Sequence, residues 1–136
     1  MTGPAEVVRS VFAAWGREGD LDAAFDPGFH PQVEYREDPD WPGAATYRGL
    51  ERVKGCFTDY AEVMQFDDST VETVVDAGDE VVAVLRASVR PAAASEPVVH
   101  RWGYLCRVRD GRVAFFQAYR DPSNAFAAAG IDEPAS

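Results

Sequence analysis

Apolar positions recur at helical spacing near the start of the chain, where Val7, Val11 and Trp15 interleave with Val8 and Phe12 on one helix face. Pro4 suits the first turn, Thr2 can cap it, and Gly16 and Gly19 bracket the exit, so the pattern predicts a helix over residues 4–18. Asp20 then caps a short second helix carrying Leu21, Ala24 and Phe25, which Pro27 and Gly28 stop. Val33 and Tyr35 alternate with Glu34 and Arg36, the period-two signature of a strand near residues 32–37. Pro39, Pro42 and Gly43 predict an irregular stretch over 38–48 that carries Asp38, Asp40, Trp41 and Tyr47. Leu50, Val53, Phe57, Tyr60 and Met64 then recur every three or four residues, one apolar stripe that predicts a helix over about 50–64.

From Val71 onward the period changes to two. Turn signals at 76–79, 91–97 and 109–111 separate four β-rich runs, roughly 66–76, 80–90, 97–108 and 112–120. Short turns require consecutive runs to pair antiparallel. Ala125, Phe126 and Ile131, following Asp121 and Pro122, predict a short closing helix. Helices first and strands last is an α+β pattern: a curved antiparallel or mixed sheet wrapped around three helices, a conical α+β barrel with an internal pocket. One domain over 1–136, with its core at about 4–131, accounts for the whole order.

Alternate strand residues would line such a cone. In the third of the four runs His100, Trp102, Tyr104 and Cys106 share the face that looks inward. In the last run Val113, Phe115, Gln117, Tyr119 and Asp121 oppose Ala114, Phe116, Ala118 and Arg120, and the pattern does not choose between the two sets. Arg86 and Ser88 share one side of the second run, also unassigned.

Composition narrows the function. The chain has 136 residues, a formal net charge of −10 and no basic run, which argues against nucleic acid and anionic membranes as partners. No apolar stretch approaches the ~20 residues that cross a bilayer, and the first residues lack a basic and then apolar leader, so the expectation is a soluble, cytoplasmic protein. Cys56 and Cys106 are far apart and read as ordinary buried thiols. With only His30 and His100, the usual metal-binding spacings are absent. No Gly-rich dinucleotide fingerprint, P-loop or nucleophile elbow is present, so the expected chemistry uses no cofactor and no metal.

Three segments, VVRSVFAAWGREGDLDAAF, VEYREDPDWPGAATYRGLERV and HRWGYLCRVRDGRVAFFQAYRDPSNAFAAAGI, resemble the ketosteroid isomerase-like, nuclear transport factor 2-like superfamily and, within it, the SnoaL-like polyketide cyclase group. The middle segment resembles the family's strand, loop and YRG lead-in to a helix, and the last its RDG hairpin followed by a Y-x-D ending. The resemblance implies a homodimer that pairs through the outer sheet face, and an acid or base, often Asp, in an apolar cone with Tyr, Trp or His donors. By motif position Asp121 corresponds to the cyclases' last-strand aspartate. Tyr104 falls where many relatives carry His, with His100 earlier on the same face as a substitute. Asp38, in REDP, resembles the isomerases' VEDP aspartate, although two extra residues separate it from Val33 and Glu34.

A carboxylate can take a proton beside a carbonyl, and a phenol can donate to the enolate oxygen that develops. Asp121, His100, Tyr104 and Asp38 are therefore the candidate catalytic residues. Trp102, Tyr119, Trp41, Tyr35, Phe57, Met64, Arg86, Gln117 and Phe115 are the candidate substrate-binding wall. The expected ligand is a hydrophobic, carbonyl-bearing small molecule that undergoes cyclisation, isomerisation or dehydration. Each residue also has a plainer reading: Asp121 as the N-cap of the last helix, His100 as a polar residue near a strand end, Arg86 as a surface cation, the rings as core. The alternatives are a non-catalytic ligand-binding or dimerisation module, and an epoxide hydrolase-type hydration bracketed by Asp121, Arg86 and Asp38.

Overall fold

Helix α1 forms over Pro4–Arg17 and buries Val8, Val11 and Phe12, the stripe its spacing predicts. The computed structural model describes residues 3–17, 25–91 and 96–134, and the side chains at 15–17, 61, 63–68 and 91 fall outside the description. The short helix expected from Asp20 to Ala24 also lies outside the described residues. Strand β1 (Phe29–Arg36) begins earlier than expected, because Phe29 continues the buried alternation of Val33 and Tyr35. The stretch expected to be irregular contains a three-residue strand, β2 (Thr46–Arg48), which pairs antiparallel with β1 and sets Tyr47 beside Tyr35. Gly49, at φ 93, makes the sharp exit into helix α2 (Leu50–Val63), a backbone region that favours glycine.

Met64 opens strand β3 (Met64–Ala77) directly, where the stripe had placed it at a helix end. Strands β4 (Glu80–Pro91), β5 (Val98–Arg109) and β6 (Arg112–Tyr119) follow, and helix α3 (Pro122–Ala128) closes the chain. Asp110 and Gly111, at φ 56 and 75, turn β5 into β6, as a two-residue hairpin with both central residues left-handed requires. Among the described residues the sheet order is β2-β1-β6-β5-β4-β3. Every neighbouring pair is antiparallel except β1 and β6, which run parallel with Tyr35 opposite Phe116. The expected α+β architecture, an open mixed sheet folded around helices, is therefore present.

Two apolar clusters define the faces of the sheet. The inner one joins Val8, Val11 and Phe12 of α1 and Val53 and Cys56 of α2 to Tyr35, Ala83, Leu85, Tyr104, Cys106, Val113, Phe116 and Ala118 of the sheet. The outer one joins Val82, Val84, Leu105 and Tyr119 to Ala125 and Phe126 of α3. A register shift where Val108 pairs Val113 but Arg107 pairs Phe115 marks a bulge. One extra residue there reverses the alternation, so Val113 points inward and so do Phe116 and Ala118.

Candidate functional site

The alternation of β1 carries one step past its last residue. Tyr35 is buried against the inner cluster, Arg36 lies on the outer face over the Phe115 ring, and Glu37 turns inward again to meet α2. Glu37 is held on both sides: its amide donates to the Ala45 carbonyl, and its Oε1 accepts from the Ala45 amide at 3.1 Å. Its Oε2 accepts from the Tyr60 hydroxyl. The Tyr35 and Tyr60 hydroxyls are 3.4 Å apart. Since Tyr60 commits its one proton to Glu37, Tyr35 is the donor to Tyr60. The result is a directed chain, Tyr35 to Tyr60 to Glu37, ending on a carboxylate.

Cys56 and Tyr47 complete the group, the thiol lying near enough to both Tyr60 and Tyr47 to interact with them. Burial, reinforced by Tyr104, pushes the Tyr35 phenol well above its usual range, and burial with Tyr35 beside it does the same to Tyr60. Tyr47 is pushed up to about 12, by burial first and Cys56 next, and burial raises the Cys56 thiol as well. At neutral pH these groups therefore keep their protons and act as donors, which leaves Glu37 to accept.

Rings surround this chain. Phe116 lies 4.6 Å from Tyr35, 5.1 Å from Phe29 and 6.1 Å from Phe57, and Phe12 stacks on Tyr104 at 5.1 Å. Burial pushes the Tyr104 phenol up, so it too stays protonated. Farther along β5, His100 and Trp102 sit with ring centroids 4.2 Å apart, and Trp102 packs against the inner cluster. Burial lowers the His100 pKa, which keeps the ring neutral at pH 7.

Tyr35, Phe57, Trp102 and Tyr104 thus share the inner side, with His100 beside Trp102. The other expected site residues lie elsewhere. Asp121 is exposed and caps α3: its Oδ1 accepts from the Ser123 amide at 3.0 Å and hydroxyl at 2.8 Å, bonds that lower its pKa. Asp38 is 4% exposed, but both oxygens are taken by backbone amides, Oδ1 by Asp40 and Oδ2 by Arg120, each at 2.8 Å. It ties the loop after β1 to the end of β6. Trp41 lies under the Arg120 guanidinium, 5.3 Å from carbon to ring centroid.

Phe115, Gln117 and Tyr119 are corrected to the outer face, because the β6 bulge reverses their parity. Phe115 is clasped there between Arg36 and Arg107, and Tyr119 packs with Phe126. Arg86 is exposed on the same outer side, in a groove of about 500 Å³ with Thr70, Glu72, Ser88 and Val99. It therefore forms no bracket with Asp38, whose two oxygens are held by backbone amides, or with Asp121, which caps α3. The Met64 side chain lies outside the description.

Glu37 and Tyr60 were not among the expected site residues. The signal was present: Glu37 is two residues beyond Tyr35, and Tyr60 shares the helical stripe of Phe57. Among the described residues no group of three His, Cys, Asp or Glu could hold a metal ion, and no helix is long and apolar enough to cross a membrane.

The comparisons agree with this fold. A family model described as SnoaL-like domain matches residues 8–116. A nuclear transport factor 2-like protein from Burkholderia thailandensis is 26% identical, with a TM-score of 0.73 and coverage of 98% of this chain and 100% of that one. A protein with ketosteroid isomerase-like fold from Catenulispora acidiphila, solved in complex with trimethylamine, is 23% identical over 96% and 95% of the chains, TM-score 0.71. A candidate SnoaL-like polyketide cyclase from Mesorhizobium loti is 20% identical over 87% and 99%, TM-score 0.70. None of the curated proteins compared matches the chain in sequence.

Proposed function

The chain belongs to the SnoaL-like domain family, and from that premise we propose that its concave face binds a hydrophobic, carbonyl-bearing small molecule and moves a proton on it by general acid–base chemistry. The observation that carries this reading is the Tyr35, Tyr60, Glu37 chain inside a lining of rings. Glu37 takes the proton from the carbon beside the carbonyl, and a neutral phenol donates to the oxygen on which negative charge develops. Returning the proton to another carbon is isomerisation. Attack of the enolate on a second carbonyl is cyclisation, and loss of a hydroxide equivalent with proton return is dehydration. The catalytic carboxylate in this proposal is Glu37, which ends the inward chain of phenols, in place of Asp121, exposed at the cap of α3, and Asp38, which ties the loop after β1 to the end of β6 through backbone amides.

A screen of cyclic ketones and poly-β-ketone thioesters tests it. In Glu37→Gln, kcat should fall by about 10²- to 10⁴-fold, the usual contribution of a positioned acid or base, with KM nearly unchanged. Full turnover in Glu37→Gln, or loss of turnover in Asp121→Asn, would return the role to Asp121. Asp121's engagement as a cap also favours a second reading, a ligand-binding module without turnover, which predicts saturable binding of the same compounds with no product. The proposal includes a homodimer through the outer sheet face, supported by Val99, 56% exposed on that face near the start of β5. Light scattering should return twice the 14.9 kDa of one chain.

A further inference from the structure

Among the described residues Asp38 is the one charged side chain that is buried. A carboxylate taken out of water persists only where hydrogen bonds offset the lost hydration, and both of its oxygens meet backbone amides, those of Asp40 and Arg120. Asp38 follows Glu37 directly. What its two hydrogen bonds hold is the path by which residues 38–45 leave β1 and return to β2.

That return sets one of the Glu37 oxygens. Arg36 pairs with Thr46, so Glu37 and Ala45 stand opposite one another one step beyond the ladder. Two residues that form a hydrogen-bonded rung of an antiparallel pair exchange both amides through their carbonyls. The Glu37 amide does its part and donates to the Ala45 carbonyl, but the Ala45 amide donates to the carboxylate, at Oε1. The direction of that oxygen therefore depends on where the loop places Ala45, while Oε2 accepts from Tyr60 on α2.

The loop is held along its length. Inside it the Trp41 amide donates to the Asp38 carbonyl at 2.9 Å and the Ala44 amide to the Trp41 carbonyl at 3.0 Å, two successive turns that lead from Asp38 to Ala45. Asp38 Oδ2 fastens its start to the Arg120 amide, and the Trp41 ring fastens its middle to the Arg120 guanidinium. Arg120 follows the last residue of β6, the strand beside β1. The loop is thus anchored to the same sheet that carries Glu37.

The geometry points to Asp38 as a positioning residue for Glu37: by fastening residues 38–45 to the end of β6 it holds the Ala45 amide against Oε1 and so aims the carboxylate. Resting on the reading of Glu37 as the base, this gives the buried aspartate a task at the site without contact with the ligand. A displacement of about 1 Å at a reacting group can cost about 10²-fold in rate, and a carboxylate oriented by a loop is held that well only if the loop is itself fixed. Two amide donors need two acceptor oxygens, which an aspartate offers and an asparagine does not.

The test compares Asp38→Asn, which keeps one acceptor oxygen, with the native chain by two measurements on the intact protein. In 1H–15N spectra the Ala45 amide proton should shift as the Glu37 carboxylate is titrated, and Glu37→Gln should abolish that shift, which assigns it. In Asp38→Asn the shift should be largely lost. The second measurement is deuterium exchange at the α-carbon of 1-indanone in D2O, in which Glu37 takes the proton, exchanges it with solvent and returns a deuteron. Asp38→Asn should lower the saturating exchange rate about 10- to 100-fold with the half-saturating ketone concentration unchanged. A full Ala45 shift in Asp38→Asn, or a lost shift with the exchange rate unaltered, overturns the positioning role and leaves Glu37 as the base. Absence of exchange with the native chain overturns the acid–base reading and this one with it. Trp41→Leu frees the loop from the Arg120 guanidinium without removing a buried group, and so answers the question even where Asp38→Asn does not fold: the Ala45 shift and the exchange rate should fall together, and a fall in one alone overturns the proposal.

Discussion

At the scale of the residue, a carboxylate can serve the concave face only if it reaches that face. Asp121 and Asp38 carry the strongest sequence signals, yet Ser123 holds the first and two backbone amides hold the second. Asp121→Asn, which still caps, should leave the urea midpoint nearly unchanged, whereas Asp121→Ala should cost about 1 kcal/mol, the usual loss of an N-cap. His100 makes a pH prediction. Burial lowers its folded-state pKa below the unfolded value of about 6.5, so as pH falls through the unfolded value the unfolded chain takes up a proton that the folded chain resists. Stability contributed by this site is thus complete above pH ~6.5 and declines below it. His100→Phe should flatten that decline in urea melts run from pH 7.5 to pH 5, if the fold is retained at the start of the series.

At the scale of the element, the main helices and strands were legible from periodicity, though not β2 or the start of β1, because period 3.6 and period two are written directly in Val8, Val11 and Phe12 and in Val33 and Tyr35. Facing was legible only where alternation runs unbroken. On β5 it does, and Tyr104 and Cys106 point inward as expected. On β6 the bulge inserts one residue, so a period-two reading groups Val113 with Phe115 and Tyr119 although they lie on opposite faces. Nothing in the local sequence announces that extra residue, since it depends on the partner strand. Glu37 was hidden for a different reason: it stands at the last position of the expected strand, and nothing local shows that its carboxylate meets Tyr60 on α2. The seat of α3 gives this scale its own prediction. A Cβ on Gly103 would come within 2.8 Å of the Pro122 backbone and 2.9 Å of Ala125. Gly103→Ala should therefore push α3 off the sheet and cost about 1–3 kcal/mol, the range for overpacking a tight contact, read as a lower urea midpoint with the Asp121 cap intact.

At the scale of the whole molecule, one architecture separates two environments. The inner side is rings, phenols and the Glu37 carboxylate, while the outer side carries the paired charges of Arg36, Arg48 and Glu34 and of Arg107 and Glu80. The family match and the solved relatives show that the overall shape is shared. The parallel pairing of β1 with β6 also sets a timetable. On the ribosome, β3, β4 and β5 can zip together hairpin by hairpin as they emerge, but Tyr35 must wait for Phe116, near the far end of this sequence, to be synthesised before the two can pair. Until then β1 and the aromatic side chains it shelters are exposed to any protease or chaperone nearby. Nascent chains arrested before residue 112 should be cleaved readily around β1, and chains arrested with β6 fully outside the exit tunnel should resist.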